Sequence, residues 1–307
     1  CQMTEEIWPE KLQKALDRCM EEYTLFLCVL RRGLFWNYLE ETELRPVVRE
    51  EYKPPCSQLY VRDQKNLLFE VTYYKKRINF ETYHALTDGT GALQFVRSLV
   101  YFYLMEVHPE KVKGPVSQVL ADATEEEKAE DSFSKYYSEE ARANDIPKYK
   151  AHQMKYHRLE YGGIRLTEGI ISTEELLKTA RSYGTTITVY LTAVFLCAIA
   201  KDMSPRQKKR PVSLMIPVNL RSYFPSESVR NFFGWIDIGY DFSSGKESLE
   251  EVIAFTADFF KKELTRERIA ARMNTLMRME KNPFMRILPL GLKLWGMQIG
   301  AALSTSA

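Results

Sequence analysis

The sequence predicts an α/β protein of two lobes, and three observations carry that reading. Strand-like and helix-like segments alternate in both halves of the chain. Residues 121–150 are acidic, then mixed, with few apolar anchors, and read as a surface excursion or linker between the halves. The length, 307 residues, suits one large domain or two of ordinary size. The expected lobes are 1–158 and 159–307. No internal repeat or low-complexity tract interrupts them.

The first half opens with "PEKLQKALDRCMEE", 9–22, where Leu12, Ala15, Leu16 and Cys19 recur at helical spacing behind Pro9. "TLFLCVLRRGLFWNYLE" follows, rich in strand formers and turned by Gly33. Residues 41–58 are charged and proline-bearing, and read as a long connection. A hairpin comes next. Leu67, Phe69, Val71 and Tyr73 share one face, Lys75 and Lys76 make the turn, and "RINFETYH" returns with Ile78, Phe80, Thr82 and His84 on one face. "TGALQFVRSLVYFYLMEVH" then reads as a helix with Ala92, Phe95, Val96, Leu99, Val100 and Tyr103 as its apolar stripe.

The second half begins with "YGGIRLTEGIIS", read as a strand. "STEELLKTARSYG" is a capped helix, with Ser172 or Thr173 at its start and Gly184 as its stop. "TTITVYLTAVFLCAIA" reads as a largely buried helix, "RPVSLMIPVNL" and "VRNFFGWIDIGYDF" as strands, and "SLEEVIAFTADFFKKELTRERIAARM" as one long helix. The late apolar stretch 282–303 has the length of a bilayer span, but Arg286 and Lys293 interrupt it and Pro289 and Gly291 break it. A buried or amphipathic helix is the preferred reading over a membrane contact.

Composition narrows the function. With 45% hydrophobic and 27% charged residues the chain resembles an average globular protein. A net charge of +2 gives no reason to expect nucleic acid as the main partner. The five cysteines, Cys1, Cys19, Cys28, Cys56 and Cys197, are odd in number and show no metal-ligand spacing, so a reduced, cytoplasmic chain without a metal is expected. No signal peptide is read, and the chain starts at Cys1.

Of the four histidines, His84 stands apart because a Thr-Asp-Gly-Thr-Gly turn follows it closely. A general base needs a nitrogen lone pair held near the proton it removes, and histidine meets this near neutral pH with little tuning. A side chain between a strand and a tight turn is held by regular structure yet open to ligand. Asp88 is placed to hold that turn through an arginine or backbone N–H groups, and Gly89 and Gly91 to permit sharp turning and close approach. A half-buried, merely packed histidine is the commoner state of a lone residue of this kind. His108, His152 and His157 read as surface or strand-face residues. There is no G-x-S-x-G elbow, no H-E-x-x-H and no third glycine of a dinucleotide fingerprint.

The run His84-Ala-Leu-Thr-Asp88-Gly89 resembles the H-x-x-x-D-G signature of the chloramphenicol-acetyltransferase-like superfamily, and the strand before it and helix after it strengthen the likeness. "LQKALDRCMEEYTLFLCVLRRGLFW", "GIISTEELLKTARSYGTTITVYLTAVFLCAIA" and "MIPVNLRSYFPSESVRNFFGWIDIGYDF" resemble further blocks of that superfamily in order, nearest to its bacterial alcohol-acetyltransferase and condensation-domain-like group. The resemblance implies two lobes, each a mixed sheet flanked by helices, with the active site in the channel between them. It implies a CoA-dependent O-acyltransferase moving an acyl, expected to be acetyl, group from acyl-CoA to a small alcohol or lipid-like hydroxyl. His84 is then the general base and Asp88 its structural support. Acyl-CoA is a co-substrate rather than a bound cofactor, and a monomer is expected. Condensation-type N-acyl transfer and a non-catalytic acyl- or partner-binding module are the alternatives. Tyr83 stands where condensation domains carry the first histidine of a pair, which weighs against peptide condensation. The resemblance also implies strands beyond residue 307, so the second lobe is expected to be incomplete.

Under that resemblance the arginine facing Asp88 is Arg31 or Arg32 by preference, with Arg221 as a further choice. Asn219, Ser226, Ser228 and Asn231 are candidate donors to the oxyanion, against the simpler reading of each as a turn residue. Phe232, Phe233 and Trp235 are core or channel wall. The run "RQKKR", 206–210, is either a solvated loop or a seat for CoA phosphates.

Overall fold

Proline fits the first turn of a helix because the N–H it lacks has no intrahelical partner there. Helix α1 (Pro9–Glu22) opens in this way and buries Leu12, Ala15, Leu16, Cys19 and Met20, four of them at the predicted positions. The computed structural model describes residues 1–62, 64–112, 123–140, 150–154, 159 and 164–303. It falls into two compact units, Cys1–Tyr136 with Asn219–Phe233, and Tyr137–Val218 with Gly234–Ala307. A single cut at 158/159 assigns 219–233 to the later half. The segment instead belongs to the unit that carries His84.

In the first unit, β1 (Cys28–Arg32) and β2 (Asn37–Glu41) form an antiparallel hairpin with Cys28 opposite Glu41. Gly33 turns it as expected, since a Cβ there would meet the Trp36 carbonyl oxygen at 2.6 Å. A mixed sheet follows. The two-residue β3 (Arg49–Glu50), inside what read as an irregular connection, runs parallel to β4 (Phe69–Tyr74), which pairs antiparallel with β5 (Arg77–Thr82). Lys75 takes the left-handed φ of 51° at the β4–β5 turn.

Helix α2 (Gly89–Val107) lies against α1. Phe95, Leu99 and Tyr103 of the expected stripe are buried, joined by Gly91, Ser98 and Phe102, whereas Ala92, Val96 and Val100 are only half-buried. Phe95 is the hub of the core. Its ring centroid lies 4.7 Å from Phe80, 5.0 Å from Phe26, 5.3 Å from Tyr23 and 5.7 Å from Phe69. Such a buried ring contributes about 3–5 kcal/mol by the cost of its truncation to alanine. Leu86, inside the His84–Gly89 motif, and Val229 belong to the same apolar cluster.

Part of the expected linker is built into this unit. Helices α3 (Glu125–Ala129) and α4 (Ser132–Lys135) start on Thr124 and Asp131, whose side chains accept from Glu127 N and Ser134 N. Residues 128–136 then grip 224–232. Val229 N donates to Lys128 O at 2.9 Å, Ser132 and Ser226 hydroxyls pair at 2.7 Å, and Phe133 meets Phe232 edge-on at 5.2 Å.

In the second unit, α5 (Thr173–Ser182) begins on Ser172, whose hydroxyl accepts from Glu175 N, and stops before Gly184 at φ 65°. Thr186 caps α6 (Ile187–Lys201). This helix buries one face only, and Phe195 is 60% exposed, so it is not the largely buried helix expected. Strands β6 (Val212–Asn219) and β7 (Phe233–Tyr240) pair. No strand forms over 164–172, where Ile170 and Ile171 are exposed, and 161–163 lie outside the described residues. The single long helix expected after Ser248 is two, α7 (Leu249–Glu263) and α8 (Arg266–Lys281), because Thr265 caps a new start by accepting from Arg268 N. Helices α9 (Pro283–Ile287) and α10 (Leu290–Leu303) follow. Leu290 and Lys293 are buried, but Phe284, Ile287 and Trp295 are exposed, so the stretch is not a buried helix. Among the described residues no single helix is long and apolar enough to cross a membrane.

Candidate active site

The site is built on the turn between β5 and α2 and on the segment 219–233, all within the first unit. Strand β5 stops at Thr82, two residues short of the strand end expected at His84, and Leu86 N closes a turn on Tyr83 O at 2.9 Å. The turn directs its residues in two ways. Leu86, Thr87 and Asp88 are buried while His84 is exposed. The apolar cluster holds the turn through Leu86 and leaves the imidazole facing outward.

Asp88 uses both carboxylate oxygens. Its Oδ1 accepts from Thr90 N and Gly91 N, both at 3.0 Å, and so caps α2. Its Oδ2 accepts from Arg221 Nη1 at 2.7 Å and Phe232 N at 2.8 Å. The Asp88 side chain is buried, 4% exposed, and that of Arg221 is nearly so, 9% exposed. The arginine facing Asp88 is therefore Arg221. Arg31 instead donates to Glu40 of the neighbouring strand at 2.6 Å, and Arg32 sits at the exposed end of β1. The two residues nearer in sequence are not the partner, because Arg31 is spent on its own hairpin and Arg32 is exposed whereas Asp88 is buried.

Arg221 does more than neutralise Asp88. Its Nε and Nη2 donate to Ser228 O at 3.2 and 2.7 Å, Nη2 also to Arg230 O at 2.7 Å, and Nη1 also to Phe232 O at 3.3 Å. The planar guanidinium thus gathers three carbonyls of one loop around a single carboxylate. Thr87 ties the loop from the other side, its hydroxyl donating to Val229 O at 2.6 Å. Gly91 is required here by close approach, since an added Cβ would collide with Thr87 Oγ1 and the Val229 carbonyl. Gly89 has open space around it and no left-handed φ, so nothing in the backbone demands glycine there.

The loop delivers Asn231 to His84. Asn231 Oδ1 lies 3.1 Å from His84 Nδ1, and Asn231 Nδ2 donates to the His84 backbone carbonyl at 2.7 Å. The Phe233 ring flanks the imidazole, with centroids 5.2 Å apart. The other proposed oxyanion donors are occupied by loop chemistry. Asn219 Oδ1 accepts from Arg221 N, Ser226 pairs with Ser132, and buried Ser228 donates to Glu130 O at 2.7 Å. Phe232 is core rather than wall. Sequence reasoning gave no role to Thr87, whose only signal was a β-branched hydroxyl inside the motif.

Elsewhere, Lys208 of the basic run pairs with Glu247 at 2.8 Å. His108 is half-buried beside Glu5 at 3.5 Å, and His157 lies outside the described residues. Among the described residues no group of three His, Cys, Asp or Glu side chains is arranged to hold a metal.

No protein-family model matches the sequence, and no curated protein is significantly similar to it. Solved structures do match. Polyketide synthase associated protein 5 from Mycobacterium tuberculosis is 15% identical, with TM-score 0.54 over 89% of this chain and 69% of its own. The cyclization-docking bidomain of the EpoB nonribosomal peptide synthetase from Sorangium cellulosum is 13% identical, with TM-score 0.53 over 92% and 62%. TRI101 of F. sporotrichioides, solved with coenzyme A and T-2, is 12% identical, with TM-score 0.51 over 87% and 68%. The chain therefore shares its fold with these three proteins.

Proposed function

We propose that the chain is an acyltransferase that moves an acyl group from a CoA thioester to a hydroxyl, with His84 as general base. The observation that carries this reading is an exposed imidazole fixed by a two-point clamp on a buried ionic framework. Such rigidity serves a group that must meet a reacting atom in one orientation. The shared fold supports the reaction class, and the coenzyme A bound to TRI101 supports the donor.

In the proposed reaction, His84 takes the hydroxyl proton as the oxygen attacks the thioester carbonyl carbon. The tetrahedral adduct collapses, the C–S bond breaks, and the imidazolium returns its proton to the thiolate. One base serves both transfers, so no acyl-enzyme is needed. Asp88 and Arg221 take no part in proton transfer. They hold the turn and the loop. Acetyl is the proposed acyl group and a small alcohol or lipid-like hydroxyl the proposed acceptor. Arg206, Lys209 and Arg210 of the 206–210 run are a proposed contact for CoA phosphates.

The test is CoA release from acetyl-CoA and longer acyl-CoAs, with a panel of alcohols and amines. Turnover that depends on an alcohol supports O-acyl transfer. Turnover with amines alone moves the reading to N-acyl transfer. No turnover with any pair, alongside saturable acyl-CoA binding, moves it to a binding module.

A further inference from the structure

We infer that Asn231 is a positioning residue that fixes the His84 proton on Nδ1 and leaves Nε2 as the basic atom. This deepens the proposed function and rests on it only for its kinetic consequence.

The inference follows from hydrogen-bond valence. A backbone carbonyl can only accept, so the Asn231 atom 2.7 Å from His84 O must be the amide nitrogen. The carboxamide cannot turn over without setting two oxygens against each other. Its Oδ1, which can only accept, therefore faces His84 Nδ1 at 3.1 Å. Two acceptors cannot bond, so Nδ1 must carry the hydrogen. In the neutral ring the lone pair is then on Nε2. A free histidine side chain favours the opposite tautomer, with the hydrogen on Nε2, so the clamp works against the intrinsic preference.

The same geometry explains why a buried ion pair stands beside a residue it does not touch. Arg221 binds the carbonyls of Ser228, Arg230 and Phe232, and Asp88 binds Phe232 N, so both neighbours of Asn231 in the chain are pinned. Val229 and Ser228 are fastened again by Thr87, Lys128 and Glu130. The route from Asp88 to the base runs through Arg221, the loop backbone and the Asn231 amide.

The direct test is the ring 15N spectrum of the full chain labelled at histidine, with His84 assigned by loss of its signals in His84→Gln. Above the imidazole titration, wild type should show a protonated Nδ1 and a bare Nε2. Asn231→Ala should move the population toward Nε2–H. Asn231→Asp keeps an acceptor for Nδ1–H but loses the donor to His84 O, so it should retain the native tautomer with the ring held at one point instead of two. In acyl transfer, Asn231→Ala should lower kcat by up to about 100-fold, part of the roughly 100- to 10,000-fold that a positioned base supplies, with little change in KM. A wild-type ring with its proton on Nε2, or an unchanged Nδ1–H signal in folded Asn231→Ala, overturns the inference. If both variants fail to fold, the wild-type spectrum alone decides it. The Nδ1–H tautomer without any transfer activity leaves the inference standing and removes the proposed function. Transfer activity with the Nε2–H tautomer does the reverse.

Discussion

Two buried carboxylates of this chain, Asp88 and Glu263, each face arginine, and they do different work. Glu263 ends α7 with its side chain only 1% exposed, and its oxygens take Arg268 Nη2 and Arg272 Nη2, both at 2.6 Å. Burial works against its charge, but hydrogen bonds from the two arginines outweigh that and hold the carboxyl below its usual range. Both arginines belong to α8, so this cluster ties one helix to the next across Leu264 and Thr265. Asp88 instead divides its oxygens between a helix cap and a distant arginine, and that arginine spends its other donors on the loop that holds a base. A buried ion pair alone says little about function. What the arginine holds besides the carboxylate separates a brace from a site.

Substitution should break the two frameworks in different ways. Arg221→Met leaves Asp88 buried without its cation and frees three loop carbonyls. It should cost about 3–5 kcal/mol in denaturant unfolding and also lower kcat, since Asn231 loses its support. Glu263→Gln should cost about 3 kcal/mol by the same measurement and leave the kcat of the folded fraction unchanged. Equal effects on kcat would erase the distinction.

Acid should sharpen the comparison. The folded-state value of Glu263 is lowered, so its contribution is present above the ordinary carboxylate value of 4.5 and is lost as pH falls through the lowered value. The stability gap between wild type and Glu263→Gln should therefore hold from neutral pH down to the ordinary carboxylate value of 4.5 and narrow below it. Within the Asp88 turn, Gly91→Ala should cost about 1–3 kcal/mol through overpacking against Thr87 and Val229. Gly89→Ala, with open space at its Cβ, should be neutral or stabilising by up to about 1 kcal/mol. Thermal unfolding of the pair separates close approach from backbone freedom.

Legibility in the sequence followed the range of the interaction. Helix α1 and helix α5 were readable because apolar spacing, Pro9, Ser172 and Gly184 act within a few residues. The β4–β5 hairpin was readable from alternation and its two-lysine turn. The α7–α8 break was missed because apolar spacing continues across it, and only the cap on Thr265 marks it. The motif around His84 was readable as a local pattern. Its framework was not, because Arg221 lies 133 residues from Asp88 and Asn231 lies 147 from His84. Arg31 and Arg32 were preferred to Arg221, since charge alone carries no direction. Ser228 read as a turn residue or a candidate oxyanion donor, yet its bond to Glu130 O depends on α3 and α4 folding back, and composition had suggested a surface excursion or linker there.

The most direct test of the account is acyl transfer by His84→Ala beside wild type, with unfolding followed on the same samples. His84 is exposed and its truncation removes one hydrogen bond, to Asn231, so stability should fall by only about 0.5–1.5 kcal/mol. Turnover should fall by roughly 100- to 10,000-fold, the span of a general base. Turnover that survives in the folded variant would contradict the account, and the Asp88–Arg221 framework would then be a brace of the same kind as Glu263.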